Sequence, residues 1–259
     1  MPLMISHEPS VDYDVYGEGT PLLLIAGLGF GRWCWFKQVP AVSRHFRVIA
    51  FDIRRLSRLV LLDLKDQDHS VADLVAPALA LLDHLGIERA HLLGTSLGGF
   101  VAQELALQRP ETVDRMVLVC TSHGGPDSEP MSWDALRAML GFGAKDRADA
   151  ARQGLEAATS VAYREDYPEE FAQVLRWRIV DTPSRSSYLE QMMAGAKFDV
   201  SRRVSAIHSP TLVLHGDDDQ VIPVDNGVAL AQTIPDAKLR VFEEAGHLVF
   251  IERAEDLNE

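Results

Sequence analysis

The sequence predicts an α/β fold, a mostly parallel central sheet flanked by helices, with one block of helices inserted before the last two strands. Three observations carry that expectation. Short, nearly continuous apolar runs rich in Leu, Val and Ile recur along the chain, the pattern of strands buried on both faces. Helical periodicity lies between several of these runs, which implies parallel neighbours joined by right-handed crossovers. From about Ser122 to Val204 only helical patterns occur.

In chain order, Leu3–Ser6 and Val11–Tyr16 read as an antiparallel pair at the sheet edge, with Gly17-Glu18-Gly19 as a turn. Parallel strands are expected at Pro21–Ala26, Phe46–Phe51, Ala90–Leu93 and Val113–Cys120, then at Pro210–Leu214 and Lys238–Phe242. A helix over Ser70–Leu85 opens on Ser70-x-x-Asp73, a capping-box spacing, and closes at Gly86. Pro77 lacks an amide hydrogen and is expected to kink that helix or shift its start. Leu97–Leu107 places Val101 and Leu105 on one stripe and stops before Pro110. Asp225–Thr233 is expected to be capped by Asp225 and is followed by Pro235. Between the two groups of strands, helical stretches lie at Met131–Gly141, Arg147–Thr159, Glu169–Val180 and Ser187–Ala196. The expected division is therefore a core of residues 1–121 and 205–259, with a helical cap of residues 122–204 entering after the sixth strand.

Composition narrows the function. Against 25 Lys and Arg stand 38 Asp and Glu, a net charge of −13, which disfavours a nucleic-acid partner. A hydrophobic share of 47% and a charged share of 24% in 259 residues suit a large globular core and exclude disorder, collagen or coiled coil as the main state. No apolar run approaches the ~18 residues a membrane span needs. Met1–Ser10 reaches His7 and Glu8 before an export signal can form, and only Cys34 and Cys120 are present, so a cytoplasmic protein with free thiols is expected.

The chemistry-bearing residues follow strands. Ala90–Leu93 runs into Gly94-Thr95-Ser96-Leu97-Gly98-Gly99 and then a helix. This is G-x-S-x-G in the strand, turn, helix context in which glycines let a sharp turn lift a serine hydroxyl above the sheet. A serine hydroxyl is a poor nucleophile until a base takes its proton, so a histidine and an orienting carboxylate are needed. Gly216-Asp217-Asp218-Asp219 follows Pro210–Leu214, and Ala245-Gly246-His247 follows Lys238–Phe242. His247 is the one histidine just beyond the last strand, whereas three acidic residues compete for the carboxylate.

From Pro21 to Glu252 the chain resembles the Ser-type α/β-hydrolases, and in detail the small carboxylesterases and 3-oxoadipate enol-lactonase-like members. The segments Leu22–Gly29, Gly94–Gly99, Leu212–Asp219 and Gly246-His247 carry the resemblance. It implies catalysis by Ser96, Asp219 and His247, because the family's acid is the last one before the short hydrophobic-Pro run. It also implies an oxyanion hole from the backbone N–H groups of Leu28 and Leu97. Phe30, Trp35, His123 and Trp177 are candidate pocket residues, drawn from a wider set that includes Trp33, Trp133, Tyr188, Met192 and Met193. The implied activity is hydrolysis of small or medium carboxylic esters or lactones through an acyl-enzyme, with a small-molecule substrate and neither metal nor organic cofactor.

The residues also set limits on that reading. Dehalogenases and epoxide hydrolases place Asp at the elbow, where this chain has Ser96, and carbon–carbon bond hydrolases typically carry Trp after the catalytic histidine, where it has Leu248. A cofactor-free haloperoxidase or perhydrolase, or a ligand-binding protein on a hydrolase scaffold, are the alternatives. Two departures stand out. Ala26-Gly27 replaces the family's usual His-Gly, and Asp52–Leu59 lacks both glycines of Asp-x-Arg-Gly-x-Gly-x-Ser. There Arg54 is expected to be structural, Arg55 and Arg58 to be solvated or to meet an anionic substrate, and Leu59–Leu62 to pack under the cap or to be disordered rather than to touch a membrane.

Overall fold

A computed structural model of the chain describes residues 11–53 and 70–259. The expected strand Leu3–Ser6 and the expectations for Arg54, Arg55, Arg58 and Leu59–Leu62 lie outside the described residues. Seven described strands form one sheet: β1 (Tyr13–Tyr16), β2 (Thr20–Ile25), β3 (Phe46–Phe51), β4 (Ala90–Thr95), β5 (Val113–Val119), β6 (Thr211–Gly216) and β7 (Lys238–Phe242). Their order is β1-β3-β2-β4-β5-β6-β7, with β1 antiparallel to β3 at one edge and every other pair parallel. After β2 the chain builds outward to β3 and then returns to place β4 on the other side. That reversal is the switch point at which a crevice opens beyond the carboxyl ends of the strands.

The apolar runs form central strands because both faces are covered. Leu23 and Ile25 of β2 enter one buried layer, with Leu81 and Leu105. Leu22 and Leu24, alternating with them, enter the opposite layer with Trp35 and Phe250. Period-two alternation thus sends successive side chains of one strand into two cores.

The helices α1 (Gln38–Val42), α2 (Val71–His84) and α3 (Leu97–Gln108) fall among the first five strands. At the start of α2, the Ser70 amide and hydroxyl both donate to Asp73 Oδ2, at 2.8 and 2.9 Å. Pro77 lies inside α2, which begins where the capping box places it, so the expected shift of its start does not occur. The strong cap and the buried face of Leu74, Val75, Leu81 and Leu82 outweigh the missing amide.

Between β5 and β6 lie α4 (Trp133–Met139), α5 (Arg147–Ala157), α6 (Val161–Asp166), α7 (Pro168–Val180) and α8 (Arg185–Ala196). Side chains of Ser132, Asp146, Ser160 and Ser184 accept first-turn amides of α4, α5, α6 and α8. The short α6 has no counterpart in the sequence reading. A bridge between Gly124 and Asp199 joins the two ends of the segment. The chain then completes β6, α9 (Val224–Thr233), β7, α10 (Val249–Glu252) and α11 (Ala254–Leu257). Asp225 does not cap α9: Pro223 holds the N-cap position and Asp225 sits in the first turn, where its charge faces the positive helix end. Cys34 and Cys120 are buried and not joined in a disulfide. No described helix is long and apolar enough to cross a membrane.

Candidate active site

Ser96 occupies the single residue between β4 and α3, at φ 53° and ψ −121°. A non-glycine residue held there costs about 1–3 kcal/mol and persists only when its surroundings dictate it. They do so through four hydrogen bonds. The Ser96 amide donates to Val119 O at 2.9 Å, and its carbonyl accepts from Gly99 N, Phe100 N and Thr121 Oγ1 at 2.8, 3.2 and 3.0 Å. The flanking glycines are required by space. A Cβ on Gly94 would overlap the Gly98 carbonyl, and one on Gly98 would overlap the Ile25 carbonyl of β2.

Asp219 lies in the turn after β6 and is 4% exposed. Its Oδ1 accepts the Val221 and Ile222 amides at 2.8 and 2.9 Å. Its Oδ2 is 2.7 Å from His247 Nδ1. His215, fully buried in β6, reaches Ile222 O at 2.8 Å and lies 3.4 Å from Asp219 Oδ2 through the same Nε2. Burial alone would raise the pKa of Asp219, but the attraction of His247 and the hydrogen bonds from His215 and His247 outweigh it. The carboxyl is held well below the ordinary range and is ionised at neutral pH. Asp217 and Asp218 are exposed, and among the described residues the Asp218 carboxylate accepts from Gln220 Nε2, at 3.1 Å. The carboxylate next to His247 is therefore Asp219.

With Nδ1 committed to Asp219, the other imidazole nitrogen is the one available to take a proton. His247 and Ser96 line the same cavity, of about 20 Å³, together with Gly27, Leu28 and Phe30. The order of strands explains the meeting: β2 and β4 are neighbours, so the loops carrying Leu28 and Ser96 emerge side by side. Leu97 is the first residue of α3, and its amide has no carbonyl partner one turn back in the helix.

Of the four candidate pocket residues, Phe30 lines this cavity and the other three are not among its described lining residues. Trp35 is fully buried, its ring 5.0 Å from Phe250. Trp177 packs on Trp33 and Phe36, with ring separations of 5.9 and 5.0 Å. His123 is buried near the start of the helical segment, its Nδ1 2.8 Å from Gly124 O. The two tryptophans are taken up by core packing, which offers an apolar ring more contact than a cavity wall does. Trp133 and Met193 are 68% and 55% exposed.

Residues outside the four candidates complete the walls, Tyr188 of the wider set among them. Met139, Gly154 and Arg178 line the small cavity and also a larger neighbour of about 460 Å³ that Tyr188, Arg147 and Arg185 line as well. Arg178 is 8% exposed, with its guanidinium 4.6 Å from the centre of the Phe30 ring. A signal for Arg178 existed. It continues the buried stripe Phe171, Val174, Leu175 at helical spacing, and a charge on an apolar stripe needs a reason. Cys120, His215 and Asp219 bring potential ligand atoms within 4.8 Å of one another. Those atoms fit a metal poorly. Burial pushes the Cys120 thiol up, while the Asp219 oxygens and His215 Nε2 are engaged as described.

Comparisons with known proteins place the chain in a family. The chain is 31% identical over 265 residues to a 2-hydroxy-6-oxononadienedioate/2-hydroxy-6-oxononatrienedioate hydrolase of Paraburkholderia phymatum, covering 97% of this chain and 89% of that one. It is 29% identical over 259 residues to a 2-hydroxy-6-oxo-6-phenylhexa-2,4-dienoate hydrolase of Comamonas testosteroni, covering 96% and 88%. Among solved structures, Est816, described as an N-acyl homoserine lactone degrading enzyme, superimposes with a TM-score of 0.78 at 27% identity, covering 96% of this chain and 94% of that one. A family model described as alpha/beta hydrolase fold matches residues 20–254, and the chain belongs to the α/β-hydrolase fold family.

Proposed function

We propose that this protein hydrolyses small or medium carboxylic esters or lactones through an acyl-enzyme formed on Ser96. The observation that carries the reading is the buried 2.7 Å contact between Asp219 and His247, opening on the same cavity as the strained Ser96. His247 takes the Ser96 proton as the hydroxyl attacks the carbonyl carbon, and Asp219 holds the imidazole tautomer and offsets its charge. The Leu28 and Leu97 amides receive the developing oxyanion. The protonated imidazole then gives its proton to the leaving oxygen, and water repeats the sequence on the acyl-enzyme. Residues 122–204 act as a cap, supplying Met139, Gly154, Ala158 and Arg178 to the cavity wall.

The larger cavity indicates the rest of the substrate. Arg178 stands where it joins the small one, Arg147 and Arg185 line it further out, and the Tyr188 hydroxyl has no hydrogen-bond partner among the described residues. Asp146, also on the wall, is engaged with the Asp149 amide. A substrate carrying a carboxylate away from the scissile bond suits this lining.

A second reading is favoured by the two dienoate hydrolases reported above. Their named substrates are ketones with no ester to cleave, so hydrolysis at a carbon–carbon bond beside a ketone belongs on the same site. Leu248 after His247 favours the ester reading. Fluorophosphonate labelling tests the shared mechanism: intact mass is expected to show one adduct on the wild type and none on Ser96→Ala. A folded, unlabelled wild type would replace both readings with a ligand-binding protein. Turnover of p-nitrophenyl esters of graded length, lactones and 2-hydroxy-6-oxo-dienoates then separates the two.

A further inference from the structure

The loop carrying His247 is bonded on both sides of the histidine to the same short stretch of the cap. On one side, the Leu248 amide donates to Ala158 O at 3.0 Å. On the other, the Gly246 amide donates to Glu252 Oε2 at 3.0 Å, and the Ser160 amide lies 3.3 and 3.4 Å from the two oxygens of the same carboxylate. Ser160 is the residue that opens α6 and caps it with its hydroxyl. The junction is tight. A Cβ on Gly246 would stand 2.7 Å from the Ser160 nitrogen and 2.9 Å from Glu252 Oε1.

A carboxylate in such a place is costly unless donors meet its charge. Burial raises the pKa of Glu252, and the Gly246 and Ser160 hydrogen bonds oppose that rise. The titratable groups whose charges act with it are Asp219 in the turn after β6, Cys120 at the end of β5 and Tyr163 in α6. No step of acyl transfer uses Glu252.

We infer that Glu252 is a positioning residue that fastens the His247 loop to the start of α6, so that placement of the cap and placement of the base are set together. The inference rests on the reading of Ser96 and His247 as nucleophile and base. Ala158, beside the junction, also lines the small cavity, so a substrate that displaces this stretch of cap displaces the histidine with it.

The test is Glu252→Gln, which keeps one acceptor oxygen and sets an amide NH₂ against the second donor. For a short p-nitrophenyl ester, kcat and the rate of fluorophosphonate labelling are expected to fall by ~10-fold or more, toward the ~100-fold that an ångström of misplacement costs, with KM changed less than ~2-fold. Glu252→Asp returns the carboxylate on a shorter arm, so it should recover only part of kcat and of the labelling rate. Folded Glu252→Gln with wild-type kcat and labelling rate, or with a lower Tm alone, overturns the inference. If Glu252→Gln does not fold, amide exchange in the wild type decides. Gly246 and Ser160 should exchange slowly and together, and fast exchange at either overturns it. Failure of the wild type to label rejects the hydrolase reading itself, which is a separate outcome.

Discussion

The loops at the carboxyl ends of the strands and the helical segment between β5 and β6 contribute to one site by different means. In the loops, geometry is set by backbone. Ser96 is held by bonds to its own amide and carbonyl, Gly94 and Gly98 have no room for a Cβ, and Asp219 is oriented by two amides. In the helical segment, the cavity wall is made of side chains from helix faces, such as Arg178 in α7 and Tyr188 in α8. Large apolar side chains there also face outward, with Val180 87% and Phe142 58% exposed. Backbone geometry tolerates almost no substitution, whereas a helix face accepts a new side chain without moving the helix. On the proposed reading, the reacting groups lie on the first region and choice of substrate falls to the second.

Substitutions break this contrast in order of size. Ser96→Ala should lower kcat by roughly 10⁴-fold or more, read from initial rates on the preferred ester; a smaller loss means another group is the nucleophile. Asp219→Asn should cost on the order of 10⁴-fold and Asp218→Asn a few-fold at most. Equal losses would remove Asp219 from its role.

The same carboxylate makes stability depend on pH. Its folded pKa lies below the unfolded value of about 3.9, so its contribution is present above that pH and is lost as pH falls through and below it. Denaturant titrations between pH 7 and 3 should show wild type losing more stability than Asp219→Asn as pH drops below about 4. Parallel curves would contradict the ionised, paired state of Asp219.

On the helical side, Arg178→Met should raise KM for a carboxylate-bearing ester about 10-fold more than for an uncharged ester of the same length. Equal increases would confine Arg178 to packing on Phe30. The smallest effect is expected at Val180, where Val180→Ser should change stability by no more than about 0.5 kcal/mol in chemical denaturation.

The residues differ in how far they could be read in advance. The elbow was legible because its requirements are local: a strand, two glycines that give up their Cβ atoms and a helix start within a few positions. The capping box of α2 was legible for the same reason, since Ser70 and Asp73 meet within one turn. Asp225 failed as a cap because Pro223, two residues earlier, already turns the chain into α9. Trp35, His123 and Trp177 were drawn by residue type and proximity in sequence, yet what a large ring touches depends on elements far away, as Phe250 does for Trp35.

By itself the sequence determined the approximate positions of the described strands, the parallel core and the chain order of Ser96, an acidic cluster and His247. These follow from apolar runs, turn chemistry and strand ends, which a chain writes within short windows. Only the tertiary structure decided which of three adjacent acidic residues is buried against a histidine 28 positions away. Only it brought Arg178 to the cavity and Glu252 beneath Gly246. Both are charged groups whose meaning lies in what surrounds them, and burial is a property of the packed chain rather than of any segment.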